Sequence, residues 1–289
     1  MIMPRPVAVG IDGSAASLAA AAWAAREAEL RGTSLHLVAA WPPPNGRAPE
    51  PPEAIARRHW AARSLDLARD RLRGRHPRLD IRARLLGLAP REALLTAGLT
   101  ADLLVLGSCG LGGTSAHHLG STGAETAAQA DFPLALVRTT PHPAHPPAGP
   151  VLLALDTQRV RDDVIAVAFE EAALREVPLR ALYAWMPARP VRTYPVMPGP
   201  YGHSPHARRA EQWLTEALLP WRQKFPDIRV EEVCLEDVPA GAVTAAAHHA
   251  VLAVLGHRIR TAADGARLGA VARAAVHQAA CPVLLVPHT

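Results

Sequence analysis

The chain repeats itself once from end to end. "PVAVGIDGS" (Pro6–Ser14) returns as "PVLLALDTQ" (Pro150–Gln158), with Asp12 and Asp156 standing 144 positions apart (156 − 12). "LHLVAAW", ending at Trp41, returns at the same offset as "LRALYAW", ending at Trp185. Further along the offset is 149 (256 − 107): "ADLLVLG" ends at Gly107 and "AVLAVLG" at Gly256, and "FPLALV" and "CPVLLV" start at Phe132 and Cys281. The five extra residues belong to the proline-rich stretch Met186–Pro205. A repeat this long is a duplicated domain and not a solenoid, whose units run roughly 20–50 residues. We expect one domain over 1–139, a proline-stiffened linker over 140–149 and a second domain over 150–289.

Each copy alternates short apolar runs with longer helical patterns. In the first, "VAVGID" reads as a strand, and "SAASLAAAAWAAREAELRG" as a helix with Ser14 or Ser17 at its N-cap and Gly32 at its stop. Strand "SLHLVAA", a helix over about 53–73, strand "DIRARL", a helix opening at Pro90, strand "DLLVLG", a helix from Ser121 and strand "LALV" follow. Alternating β and α with near-continuous apolar strands predicts an α/β fold of two tandem Rossmann-like domains. Each is a mainly parallel five-stranded sheet with helices on both faces. Pro133 and Pro282 stand at the entrance of each last strand, where the missing ladder donor is tolerated. A short apolar edge strand needs cover. "PLALV" and "PVLLV" are therefore expected to meet across a pseudo-two-fold axis.

The stretch "GSCGLGGTSAHHLGST" (Gly107–Thr122) leaves the fourth strand and ends at a helix start. Its glycines permit close approach of a ligand to main-chain amides. Ser121 and Thr122 open a helix whose free N–H groups and positive dipole end favour an anion. Asp12, ending the first strand, lies on the same sheet edge, where ligands of open parallel sheets bind and a carboxylate can accept from ribose hydroxyls.

Asp12, the "AAW" that ends strand two, and the spacing G-x2-G-x9-G-[ST] at Gly107, Gly110, Gly120 and Ser121 resemble the universal stress protein family in its tandem form. The resemblance covers essentially the whole chain, twice. It implies binding of ATP, with or without Mg2+, dimerisation through the last strand, and a regulatory, non-catalytic role in stress. Carried over, Asp12 contacts ribose or adenine, and Ala40 lines the adenine pocket through its main chain. Gly107 and Gly110 pass close to ribose and phosphates, and Gly120, Ser121 and Thr122 hold the phosphates. The second copy keeps Asp156, Gly256 and Gly269 as candidate site residues, but Ile259 replaces Gly110 and Ala270 replaces Ser121. A branched Cβ narrows the cradle and the lost hydroxyl removes a donor, although Arg258, Arg260 and Arg267 offer charge. The nucleotide is expected in the first copy.

Other chemistry is poorly supported. The three cysteines, Cys109, Cys234 and Cys281, form no C-x-x-C spacing, which suits reduced thiols in a cytoplasmic protein. No apolar run reaches the roughly 18–20 residues of a spanning helix, and the N-terminus has no signal-type apolar region, so no membrane is expected. Arginines are scattered and carry no interleaved aromatics, so the formal charge of +5 gives no reason to invoke nucleic acid. His117, His118, His142, His145, His248 and His249 show no metal-ligand spacing, and Cys109 reads as a passive small residue. The six tryptophans read as packing residues. No P-loop or nucleophile elbow is present, so no enzyme is expected. Two function classes remain: an ATP-responsive regulator acting on an unidentified protein partner, as intramolecular pseudo-dimer or homodimer, and a nucleotide-independent scaffold working through Met186–Pro205.

Overall fold

β1 (Val7–Gly10) is buried along almost its whole length, so it needs a strand on each side and a helix layer on each face. In the computed structural model it lies between β2 (Leu35–Ala40) and β4 (Leu103–Gly107), parallel to both. β3 (Ile81–Leu86) pairs outside β2 and β5 (Leu134–Val137) outside β4, again in parallel. The connections are α1 (Ala15–Leu30), α2 (Pro52–Arg75), α3 (Pro90–Leu99) and α4 (Ser121–Gln129). The second half repeats the series as β6 (Val151–Leu155), α5 (Asp162–Arg175), β7 (Leu179–Trp185), α6 (Pro205–Lys224) and β8 (Val230–Glu236). It closes with α7 (Pro239–Ala247), β9 (Leu252–Arg258), α8 (Ala270–Gln278) and β10 (Val283–His288). The structure describes residues 5–43, 51–108, 120–139, 149–156, 161–186, 205–258 and 268–288.

Strand alternation sorts the core into two layers. Val7, Val9, Leu35 and Leu37 face the alanine-rich inner side of α1, with α2, α5 and α6 on the same face of the sheet. Ala8, Val38, Leu104 and Leu106 face the other way, toward α3, α4, α7 and α8. Helix α1 starts where Ser14, at the N-cap, accepts a hydrogen bond from Ser17 N (3.1 Å), and its chain turns away at Gly32 with φ +62°.

β5 and β10 run antiparallel and join the halves into one ten-stranded sheet, β3-β2-β1-β4-β5-β10-β9-β6-β7-β8. The expected pairing through the last strands is therefore present. The sheet's two outer strands carry charge instead: Arg82 and Arg84 on β3, Glu231 and Glu232 on β8.

Above this seam α1 and α5 exchange charges. Arg31 pairs with Glu171, and Arg175 pairs with Glu27. Within each helix Arg31 approaches Glu27 (3.6 Å) and Arg175 pairs with Glu171. Both pairs obey the 144 offset, so the quartet is a copy of itself across the pseudo-two-fold axis. The carboxylates are almost fully buried, which pushes the Glu27 carboxyl up despite the two arginines. On the opposite side of the sheet, Arg138 Nη1 donates to the carbonyls of His277 (2.7 Å) and Ala279 (3.3 Å) at the end of α8. Buried His257 hydrogen-bonds the main chain of Ala128 near the end of α4. Ala128 and His277 are themselves counterparts at the 149 offset, so each half caps the other's last helix.

Three outcomes are expected. Arg175→Ala leaves the two buried carboxylates of Glu27 and Glu171 sharing Arg31 alone and lowers the unfolding free energy by about 3–5 kcal/mol in chemical denaturation. Burial lowers the His257 pKa from its ordinary 6.5. The unfolded chain then takes up that proton first, and stability falls as pH drops below 6.5. Glu27 titrates with the opposite sign, so the readout is the difference between wild type and His257→Gln, which should show the shallower loss between pH 7.5 and 5.5. Burial pushes the Cys281 thiol up to about 12 and Cys234 up to about 11. Neither peptide should be alkylated at pH 8 until the chain unfolds, as read by mass spectrometry.

Candidate functional site

In the order β3-β2-β1-β4-β5 the chain leaves β1 in one direction and returns on its other side at β4, so the strand order reverses between them. This is the place where open parallel sheets leave a crevice beyond the strand ends. Asp12 stands just past β1, and its Oδ1 accepts from Ser14 N at 2.9 Å. Its carboxylate thus shapes the turn into α1. Gly13 in that turn has φ +79°, and a Cβ there would strike the rings of Trp60 at 2.7 Å. Trp60 is a correction to the packing expectation: it is 46% exposed and serves as a cover for the turn.

Ala40 ends β2. Val38 O accepts from Ile11 N (2.8 Å) on the β1 side, whereas Trp41 N donates to Leu86 O (2.8 Å) on the β3 side. By alternation the main chain of Ala40 turns to the β1 side, beyond the point where that strand ends. Trp41 folds back against α2, donating to Ala54 O (3.2 Å) with the Arg58 guanidinium over its ring.

Gly107 ends β4, and the structure shows a packing reason for it. A Cβ would lie 2.5 Å from the carbonyl carbon of Ala16, in the first turn of α1. Gly120 occupies the N-cap of α4 and supplies no side-chain cap. The first-turn amides, including those of Ser121 and Thr122, have no partner within the helix. Ser121 is exposed and Thr122 half-buried. A crossover helix runs antiparallel to its strands, so this N-terminus stands at the same sheet edge as Gly107. Gly110, Cys109, His117 and His118 lie outside the described residues, as do His142, His145, Ile259, Arg260, Arg267 and nearly all of Met186–Pro205.

The described residues of the second half form such a crevice. A cleft of about 590 Å³ opens at the β6/β9 reversal, lined by Asp156, Ala184, Trp185, Gly256, Gly269 and Ala270. Their counterparts at the two offsets are Asp12, Ala40, Trp41, Gly107, Gly120 and Ser121. Of the residues singled out in the first half, Asp12, Ala40, Gly107, Gly120, Ser121 and Thr122 have copies that line this cleft, whereas Ile259, the copy of Gly110, lies outside the described residues. Its volume falls within the usual range for small-molecule sites. β9 runs on to Arg258 and pairs with β10 through His288, so the main chain after Gly256 is tied into the ladder, as Ser108 N after Gly107 is to Val137 O (2.8 Å). The cleft nonetheless differs from the first half. Arg161 and Arg258 line the cleft, and the Nε of Arg161 is buried without a hydrogen-bond partner. His288 packs against Gly256, where a Cβ would stand 2.9 Å from its ring. Sequence reasoning missed Arg161 and His288. Arg161 aligns with Ser17, so no repeat motif marks it, and His288 lies beyond the last repeated apolar run. Among the described residues no group of three His, Cys, Asp or Glu side chains is placed to hold a metal, and no helix is long and apolar enough to cross a membrane.

A doubly wound α/β unit, duplicated and joined edge to edge, with a crevice at its strand reversal, defines the structural class. The universal stress protein family model matches twice, over residues 3–138 and 148–287. Universal stress protein Rv2005c of Mycobacterium tuberculosis is 32% identical over 295 residues, covering 96% of each chain. Universal stress protein Rv2623 of the same organism is 30% identical, covering 96% of this chain and 95% of its own. The chain belongs to the universal stress protein family, in tandem form. A universal stress protein from Archaeoglobus fulgidus has the same fold, at TM-score 0.70 and 13% identity over 98% of both chains. Another family member has been solved in complex with cAMP; it matches 48% of this chain at 29% identity with a TM-score of 0.37, and that ligand is a property of that protein.

The two glycines should respond differently to a methyl group. Gly107→Ala forces β4 from α1 and is expected to cost about 1–3 kcal/mol in urea denaturation. A Cβ at Gly269 meets nothing within 4 Å, so Gly269→Ala should stay within about 1 kcal/mol of wild type.

Proposed function

We propose that this chain is a regulatory, non-catalytic protein that holds an adenine nucleotide, ATP with or without Mg2+, in the crevice of its first half. One observation carries the reading: the copies of Asp12, Ala40, Gly107, Gly120 and Ser121 line one cleft in the second half. In the first half these positions combine a main chain turned toward the crevice at Ala40 with uncapped amides at the start of α4. The Ala40 main chain suits an adenine edge. Asp12, with one oxygen engaged by Ser14, can accept from ribose hydroxyls through the other. The amides of Ser121 and Thr122, with their hydroxyls, suit phosphate oxygens, aided by the positive end of α4. Nucleotide occupancy would then alter the surface that a protein partner meets around Gly107–Thr122.

A second position in the other half is favoured by the cleft itself. There the guanidinium groups of Arg161 and Arg258 stand in place of the hydroxyls, which suits an anion held by side chains.

Titration calorimetry with ATP tests the primary reading. Wild type should bind, and Ser121→Ala/Thr122→Val should bind about tenfold or more weakly, as expected for lost hydrogen bonds to a charged group. Gly110→Ile should weaken binding as well. Equal binding by all three proteins, or none by wild type, removes the first-half site. Arg161→Ala/Arg258→Ala should leave that site intact and lower the stoichiometry only if the second cleft is also used.

A further inference from the structure

The antiparallel pairing of β5 with β10 is symmetric about one residue pair. Leu134 faces Leu285, Leu136 faces Val283, and at the centre Ala135 faces Leu284. Ala135 and Leu284 are counterparts at the 149 offset, so each would face its own copy if a half paired with its own kind. Both are buried, and both lie in the core layer beneath α1 and α5. The flanking positions are large in both halves, and only the central one combines a small with a large side chain.

The charge quartet above the seam makes no such distinction. Glu27 and Arg31 recur as Glu171 and Arg175, so two like halves would bring together the same complementary set. The paired segments, Leu134–Leu136 and Val283–Leu285, match in length and apolar character and would also accept either partner.

We propose that the Ala135/Leu284 pair is a selection device: it makes the seam accept the unlike half and reject the like half of a second copy of this chain. Directly opposed Cβ atoms in an antiparallel pair stand about 4.5–5.5 Å apart. Two alanines there leave a void between close-packed layers, and two leucines demand space that α1 and α5 already fill. The quartet holds the halves at the right rotation, and the size complement decides which halves meet.

The test is a thermal-unfolding cycle on the full chain. Leu284→Ala alone should lower the melting temperature by roughly 5–15 °C, and Ala135→Leu alone should lower it by several degrees. The exchange Ala135→Leu/Leu284→Ala should recover most of both losses, because it mirrors the pair about the axis. A double variant whose loss equals the sum of the two singles overturns the proposal. Should Ala135→Leu fail to fold, the milder pair Ala135→Val and Leu284→Val must show coupling of the same sign, and additivity there overturns the proposal equally. Light scattering supplies an independent arm. Glu27→Arg/Arg31→Glu makes the charges repel across the native seam and attract between like halves. With Ala135 and Leu284 in place this chain should keep the mass of one copy, and a two-copy mass would overturn the proposal.

Discussion

Hydrogen bonding between β5 and β10 is the constraint on which the rest of the molecule depends. Each is a short strand at the end of its half whose paired residues, Leu134–Leu136 and Val283–Leu285, are all apolar, and neither can remain exposed at a sheet edge. Joined, they turn two five-stranded sheets into one of ten and make the core on each face continuous across the seam. Burial at the seam then reaches outward. It buries the carboxylates of Glu27 and Glu171 against Arg31 and Arg175, and it places Arg138 and His257 against the other half's last helix.

The direction of that pairing also decides where ligands can sit. Because β5 and β10 are antiparallel, the strands of the two halves point in opposite directions. Their carboxyl edges therefore lie on opposite sides of the common sheet. The crevices at β1/β4 and β6/β9 cannot merge into one shared site, and each must be complete in its own half. They remain linked through the seam: His257 follows Gly256 at the floor of the second cleft and hydrogen-bonds the end of α4, whose other end is the proposed phosphate position.

Much of this was legible in the chain itself. The repeated strand motifs and their two offsets carry the duplication, the parallel order and the pairing of the last strands, because period and register are local properties of sequence. The roles of particular residues were less so. Gly107 looks like a ligand glycine, yet contact with Ala16 across a helix already demands it, and only the packed structure reveals that second constraint. Trp60 sits in a periodic pattern that reads as core, but it covers the Asp12–Ser14 turn from outside. The charge quartet left no sign beyond an ordinary Glu-x3-Arg spacing on each helix, which is what a solvated helix face also shows. Long-range pairing across 144 residues made it a buried cluster. The second half's shift from hydroxyls to arginines was visible at Arg258, but Arg161 could be placed only once α5 and β9 were seen to share a cleft.

The central claim is that the first-half crevice gathers an adenine nucleotide between the turn at Asp12 and the start of α4. Hydrogen exchange with and without ATP, read by mass spectrometry, tests it most directly. The account predicts slower exchange in peptides spanning 11–17 and 120–126, with β3 and the outer face of α2 unchanged. Exchange that ATP leaves untouched in both peptides, or slows only in regions away from them, would contradict it.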